Sequence, residues 1–265
     1  MDTSLVKAAE VLAGSRFTLA LTGAGISVES GIPDFRSAGG LWARFNPAEY
    51  ATIEAFRQDP HKVWRMLAEM DRLLVRSRPN PAHLGLAELE RLGYLQFVIT
   101  QNVDNLHQAG GSQRVIEFHG NAATLACLAC HAVYSRAEVS NQAVPPKCVC
   151  GQVLKPEVIF FGEEIPPPVL AQAHDLVSLA RVLLVIGTSA EVAPASMLPR
   201  LAKEHGATIV EINPEKTRLT DELTDILLQG RAGEIIPALV AELKRRTTDG
   251  WPPVTGCSRS APRPG

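Results

Sequence analysis

The stretch Thr22–Arg36, TGAGISVESGIPDFR, follows directly on the short apolar run Phe17-Thr18-Leu19-Ala20-Leu21. An apolar run of this length that ends at glycine suits a buried strand entering a sharp turn. In open α/β sheets the ligand binds at that place, beyond the carboxyl end of a strand. Gly23, Gly25 and Gly31 let the backbone turn tightly and approach a pyrophosphate where side chains would intervene. The spacing departs from the dinucleotide fingerprint G-x-G-x-x-G, because Val28 stands in the place of the third glycine. A nucleotide loop of another kind than that of the common dehydrogenases is therefore expected.

Working outward, Leu5, Ala8, Ala9 and Leu12 recur at helical spacing before Gly14, so an amphipathic helix precedes the first strand. Asn46 to Ser77 reads as helices interrupted at Pro47 and Pro60, with an apolar stripe of Val63, Trp64, Leu67, Met70, Leu73 and Leu74. Such a stripe is in most proteins a packed face. A helix after Pro81 carries Leu86, Leu89 and Leu92 to Gly93, and a strand Gln96–Thr100 follows. Its end delivers Gln101, Asn102 and Asp104, either a ligand-facing group or a turn with Asp104 as a helix cap. Val115–Gly120, VIEFHG, closes on His119; a lone histidine is more often structural than catalytic. Strand-like and helical runs then alternate: Val158–Phe161, a helix from Pro168 to Ala180, Val182–Ile186, a helix from Met197 to His205, Ala207–Ile212 and a last helix Gly233–Arg246. Alternation of this kind argues a parallel sheet with right-handed crossovers. The polar loops Gly187-Thr188-Ser189 and Asn213-Pro214-Glu215 end two of its strands.

A chain of 265 residues, 46% hydrophobic, can bury one large core with a small insert. The net charge of -2 and pI near 6.4 supply no electrostatic reason for nucleic-acid or membrane binding. The amphipathic N-terminal residues do not resemble a secretory signal, and a cytoplasmic protein is expected. Four of the five cysteines form two pairs, Cys127/Cys130 and Cys148/Cys150, separated by 17 residues. That spacing fits a closed four-thiolate zinc site, structural because no position is left for water; a disulfide or inert thiols are the alternatives. The second pair is the tighter C-x-C. Cys257, alone in the Pro/Gly/Ser-rich tail, is expected to be neither ligand nor nucleophile, and the tail over 247–265 to be disordered.

GAGIS, SGIPDFR, TQN-x-D, HG, V-x-F-G-E-like VIFFGE, GTS and N-x-E stand in one order from Phe17 to Lys244. This series resembles the sirtuins, NAD-dependent protein deacylases, of the bacterial type. The resemblance implies an α/β fold: a Rossmann-like parallel sheet with helices on both faces (1–36, 78–120 and 156–246) and a small module. That module combines a helical insert (37–77) with a zinc-binding insert (121–155). It implies one structural zinc on Cys127, Cys130, Cys148 and Cys150, and NAD as co-substrate in the cleft between the two parts. By resemblance NAD contacts Gly23, Ala24, Gly25, Ile26, Asp34, Phe35, Arg36, Gln101, Asn102, Asp104, Gly187, Thr188, Ser189, Asn213, Glu215 and Ala232. Acyl-lysine proteins or peptides, the implied partners, meet Val158, Ile159, Phe161, Gly162, Glu163 and Val192. In the implied reaction the acyl oxygen attacks the ribose carbon, nicotinamide leaves, and His119 takes a ribose hydroxyl proton, with Asn102 also in the chemistry. The products are nicotinamide, O-acyl-ADP-ribose and free lysine. In the branch that prefers succinyl or malonyl groups a Tyr-x-x-Arg pair receives the acyl carboxylate; here those places fall on Leu67 and Met70, so acetyl is expected over succinyl. A mono-ADP-ribosyltransferase on the same NAD site and a non-catalytic zinc-ribbon module remain as alternatives.

Overall fold

The computed structural model describes residues 3–34 and 40–248. Phe35 and Arg36, and the tail beyond 248 with Cys257, lie outside the described residues. The chain forms β1 (Thr18–Thr22), β2 (Phe97–Thr100), β3 (Val115–Glu117), β4 (Gly120–Cys127), β5 (Val133–Ser135), β6 (Leu154–Val158), β7 (Val182–Ile186), β8 (Thr208–Asn213) and β9 (Ile226–Gln229). Six of these make one sheet in the order β3-β2-β1-β7-β8-β9, every neighbouring pair parallel. The strand order reverses between β1 and β7, the switch point where open α/β sheets bind their ligands in the crevice beyond the strands' carboxyl ends.

Both faces of this sheet are covered, which is why its strands read as apolar runs without polar alternation. Ala20, Leu184, Ile186, Val210 and Ile212 face one apolar cluster with the helices Thr3–Gly14, Pro81–Arg91 and Ala232–Thr248. Leu19, Leu21, Leu183, Val185 and Ile209 face the other, against the helices Pro167–Leu179 and Met197–Glu204. Gly85 lets Pro81–Arg91 lie close on the last helix, since a Cβ there would stand 2.5 Å from Ile236 Cγ2. A third cluster joins Leu41, Ile53, Phe56, Val63, Trp64 and Leu67 to Leu125 and Leu154 of the antiparallel sheet β5-β4-β6 and to Phe160 just beyond it. Trp64 Nε1 donates to Leu154 O at 2.8 Å across this junction. Among the described residues no helix is long and apolar enough to cross a membrane.

Four expectations need correction. Pro47 and Pro60 start helices (Pro47–Tyr50 and Pro60–Arg76) rather than interrupt them, because each occupies the first turn behind a capping Asn46 or Asp59, where a missing N–H costs nothing. The strand expected over Val158–Phe161 ends at Val158 and runs back through Lys155-Pro156-Glu157; as an edge strand, β6 tolerates a proline. β9 was not anticipated, being a four-residue edge strand whose pairing with β8 is tertiary. The last helix continues through Thr248, two residues into the segment read as disordered tail.

Candidate NAD and acyl-transfer site

The loop after β1 leaves the sheet at Gly23, whose N–H donates to Ile186 O at 3.1 Å, and Gly25 N–H donates to Gly187 O at 2.8 Å. The loops after β1 and β7 thus touch backbone to backbone. A Cβ on Gly25 would lie 2.7 Å from Gly187 Cα, and Gly187 itself has φ +60°. Ala24–Ser30 winds as a 3₁₀ helix ended by Gly31 at φ 85°. This explains the altered glycine spacing: the loop does not open a long α-helix packed on the sheet, and Val28 is 45% exposed where a third fingerprint glycine would have been packed. Ile26 is buried, and Glu29 Oε2 accepts from Gly233 N at 2.8 Å, tying the loop to the start of the last helix beside buried Ala232. Asp34 O accepts from Leu41 N, leading the chain into the helical insert.

The carboxyl end of β2 brings three polar side chains to the same crevice. Gln101 Nε2 donates to Thr188 Oγ1 at 3.1 Å, linking β2 to the loop after β7. Asn102 Nδ2 donates to Gly23 O and to Ser27 Oγ, each at 3.1 Å. Ser27 Oγ in turn donates to Asp104 Oδ2 at 2.7 Å, while Asp104 Oδ1 accepts from Leu106 N at 2.9 Å in the turn before the next helix, whose N-cap residue is Asn105 and not the expected Asp104. Asp104 therefore serves both the turn and the site. Beneath them lies a buried polar layer: Thr22 and Thr100 hydroxyls meet at 2.9 Å, His107 Nε2 is 2.9 Å from Thr22 Oγ1, and the His83 and His107 rings cross at 4.9 Å. A cavity of about 60 Å³ opens beside Ser27, Asn102 and Asp104, and Met70, Leu73 and Leu74 supply apolar wall. The stripe on Pro60–Arg76 thus divides its work, Val63, Trp64 and Leu67 packing the core and its later members lining the cavity.

His119 follows β3 over fully buried Phe118. Its Nδ1 lies 3.2 Å from Gln101 O. A carbonyl oxygen only accepts, so in the neutral ring Nδ1 carries the proton and Nε2 keeps a lone pair. Burial lowers the imidazole pKa below its ordinary value near 6.5, and the bond to Gln101 opposes that shift. The ring is held neutral and able to accept a proton.

On the far side of His119, Ile159 N donates to its carbonyl at 2.9 Å, and Val158 pairs with Gly120. Phe161 N and O bond to Ala51 O and Ile53 N of the helical insert, its ring 44% exposed and 6.3 Å from that of Trp42. Gly162 turns at φ 84°. The Glu163 carboxylate accepts from Phe160 N and pairs with buried Lys155 Nζ, both at 2.8 Å, so it holds this turn together. Val192, half-buried, accepts from Ser196 N in the turn after β7. Asn213 Nδ2 donates to Thr188 O at 3.2 Å; Ser189 is half-buried and Glu215 exposed. The structure therefore joins Gly23, Gly25, Gln101, Asn102, Asp104, His119, Gly187, Thr188 and Asn213 in one bonded network. Sequence reasoning passed over Ser27, although it stands inside the glycine loop, and the His83/His107 layer, whose only signal was a histidine in each helix packed behind the site.

Cys127, Cys130, Cys148 and Cys150 offer four Sγ atoms within 4.8 Å of one another, with none disulfide-bonded. Two of the separations are 3.5 Å. Tetrahedral Zn–S bonds of about 2.3 Å require S···S near 3.8 Å, so the set fits one zinc. The first knuckle turns at His131 (φ 59°) and the second at Gly151 (φ 90°), which lets the short C-x-C arm close. Tyr134 Oη lies 3.2 Å from Cys148 Sγ, a further partner for that arm.

The Sir2 family model matches residues 23–194. "NAD-dependent protein deacylase 2" of Pyrobaculum aerophilum is 48% identical over 90% of this chain and 95% of its own. "NAD-dependent protein deacylase 1" of Archaeoglobus fulgidus is 45% identical over 92% and 99%. Both are archaeal, so they do not speak to the bacterial type. Among solved structures, a Sir2 homologue–NAD complex superposes with TM-score 0.84 at 45% identity, covering 90% of this chain and 93% of its own. Sir2Af2 bound to a myristoylated histone peptide does so with TM-score 0.81 at 38% identity, covering 94% and 100%. With the glycine loop, the β2 polar end and the cysteine knuckles in their places, the chain belongs to the Sir2 family of NAD-dependent protein deacylases.

Proposed function

We propose that this protein removes acyl groups, chiefly acetyl, from lysine side chains of proteins or peptides, with His119 as the general base. The observation that carries this is His119 Nδ1 on Gln101 O, one residue from Asn102, which leaves the Nε2 lone pair to accept a proton. NAD supplies an activated ribose carbon and a leaving nicotinamide. The residues of this chain do the rest. Asn102 and Asp104, locked through Ser27, orient the nicotinamide end; Gln101, Thr188 and Asn213 face the ribose and adenine side. His119 accepts a ribose hydroxyl proton, help typically worth about 10² to 10⁴ in rate. Phe35 and Arg36 are assigned to shielding and organising the cofactor from the resemblance alone.

The finer reading concerns the acyl group. The two places that a succinyl-preferring relative fills with tyrosine and arginine hold Leu67, buried in the apolar core, and Met70, so neither offers a cation. Arg44 is exposed and engaged with Glu69, and Arg65 is exposed. A succinyl carboxylate would lose its water without gaining a cation, a penalty of several kcal/mol and about a hundredfold or more in rate. The separate apolar clusters support the division into a sheet domain and a two-part module, and free thiols suited to metal fit a cytoplasmic location. Incubation with NAD and one peptide carrying acetyl- or succinyl-lysine, with product masses and kcat/KM, tests the reading. O-acetyl-ADP-ribose and a strong acetyl preference are expected. ADP-ribose attached to protein in place of that product, or equal succinyl turnover, would overturn it.

A further inference from the structure

Glu211 sits mid-strand in β8, fully buried, between apolar Val210 and Ile212. Among the described residues its carboxylate meets neutral hydrogen-bond partners. Oε1 accepts from Thr217 Oγ1 at 2.6 Å and from Asn213 Nδ2 at 3.2 Å. Thr220 and Thr224 hydroxyls reach Oε2 at 2.7 and 2.8 Å. A well-packed apolar side chain at such a position is often as stable as, or more stable than, a buried charge, so the carboxylate calls for a reason beyond folding. Its partners suggest one. Asn213 Nδ2 bonds Thr188 O as well as Glu211 Oε1, and both are acceptors only. The two N–H bonds of the amide are thereby committed to the protein, and Oδ1 is the atom left to receive a hydroxyl donor.

We propose that Glu211 is a positioning residue for NAD: it fixes the Asn213 amide so that Oδ1 is presented to a ribose hydroxyl. This rests on the assignment of Asn213 to the NAD site. Thr217, which caps the helix Arg218–Glu222, and Thr220 bind the same carboxylate, so one group holds the whole segment after β8 against the crevice.

The test compares Glu211→Met, which has no acceptor, with Glu211→Gln, which retains one. Thr188 O, an acceptor, keeps the Asn213 NH2 group turned toward it and toward residue 211, whereas threonine hydroxyls can turn and accept, so the glutamine oxygen settles on the Asn213 side. ADP-ribose binding by calorimetry and NAD KM against kcat are measured in the intact protein. Glu211→Met is expected to weaken ADP-ribose and raise NAD KM about tenfold, with kcat at saturating NAD within about twofold, and Glu211→Gln to restore most of the loss. In an Asn213→Ala background the Glu211→Met effect should vanish. Additive effects, a loss confined to kcat, or unchanged affinity in Glu211→Met would overturn the proposal. If Asn213→Ala alone leaves ADP-ribose affinity unchanged, it is the placement of Asn213 that fails. Glu211→Ala, which admits water, replaces Met if that variant does not fold; failure of both to fold would mean that the carboxylate serves the fold and not the ligand.

Discussion

Acidification from pH 6.5 toward 4 should strongly destabilise this protein through the histidines behind the site. His83 and His107 are 0% and 1% exposed. Burial pushes the first down to about 4 and the second to about 3 from an ordinary value near 6.5. Among the described residues His83 Nε2 and His107 Nδ1 have no hydrogen-bond partner. Both rings are thus neutral in the fold, whereas in the unfolded chain they take up protons as pH falls through 6.5. Between 6.5 and 4 the unfolded state binds more protons, so their contribution is full above 6.5 and is lost as pH falls toward the folded values. At pH 5 each forfeits about 2 kcal/mol, together about 4 kcal/mol, a large part of an ordinary domain's stability. His119, also lowered by burial, adds with the same sign. Urea unfolding at steps from pH 7.5 to 5, with zinc in excess, measures it. A flat profile from 7.5 to 5, or an undiminished slope in the folded His83→Gln/His107→Gln variant, would refute the argument.

One zinc per chain is expected by elemental analysis, and its removal by chelator should unfold the module and abolish turnover; a metal-free, fully active protein would sink this. His119→Ala should remove turnover while ADP-ribose binding by calorimetry stays near wild type. In the wild type, kcat/KM should hold below pH 6.5 and fall only in more acid solution, since the folded imidazole pKa is lowered. Gly25→Ala drives a methyl to 2.7 Å from Gly187 Cα, so a loss of about 1 to 3 kcal/mol in thermal or urea unfolding and weaker ADP-ribose binding are expected; a neutral result would mean that the two loops part readily.

Much of the site was legible because its chemistry is local in the chain. Glycines 23 and 25, the polar group Gln101–Asp104 and His119 each follow an apolar run directly, and a parallel sheet carries the ends of its strands to one edge. The cysteine spacing was enough to propose a metal for the same reason, since each knuckle is a single turn. Beyond the sequence lay whatever depends on distant segments meeting. Ser27 reads as one more loop serine until folding sets it between Asn102 and Asp104, and Glu211 reads as a polar interruption of β8 until three threonines from the following segment close over it. β9 and the backward shift of β6 belong here too, because an edge strand takes its register from its neighbour and not from its own hydrophobicity. Local pattern determined the sheet, the glycine loop and the ligand-bearing ends. Tertiary packing decided which polar groups were buried, and hence which hydrogen bonds orient the site, because desolvation depends on neighbours far away in the chain.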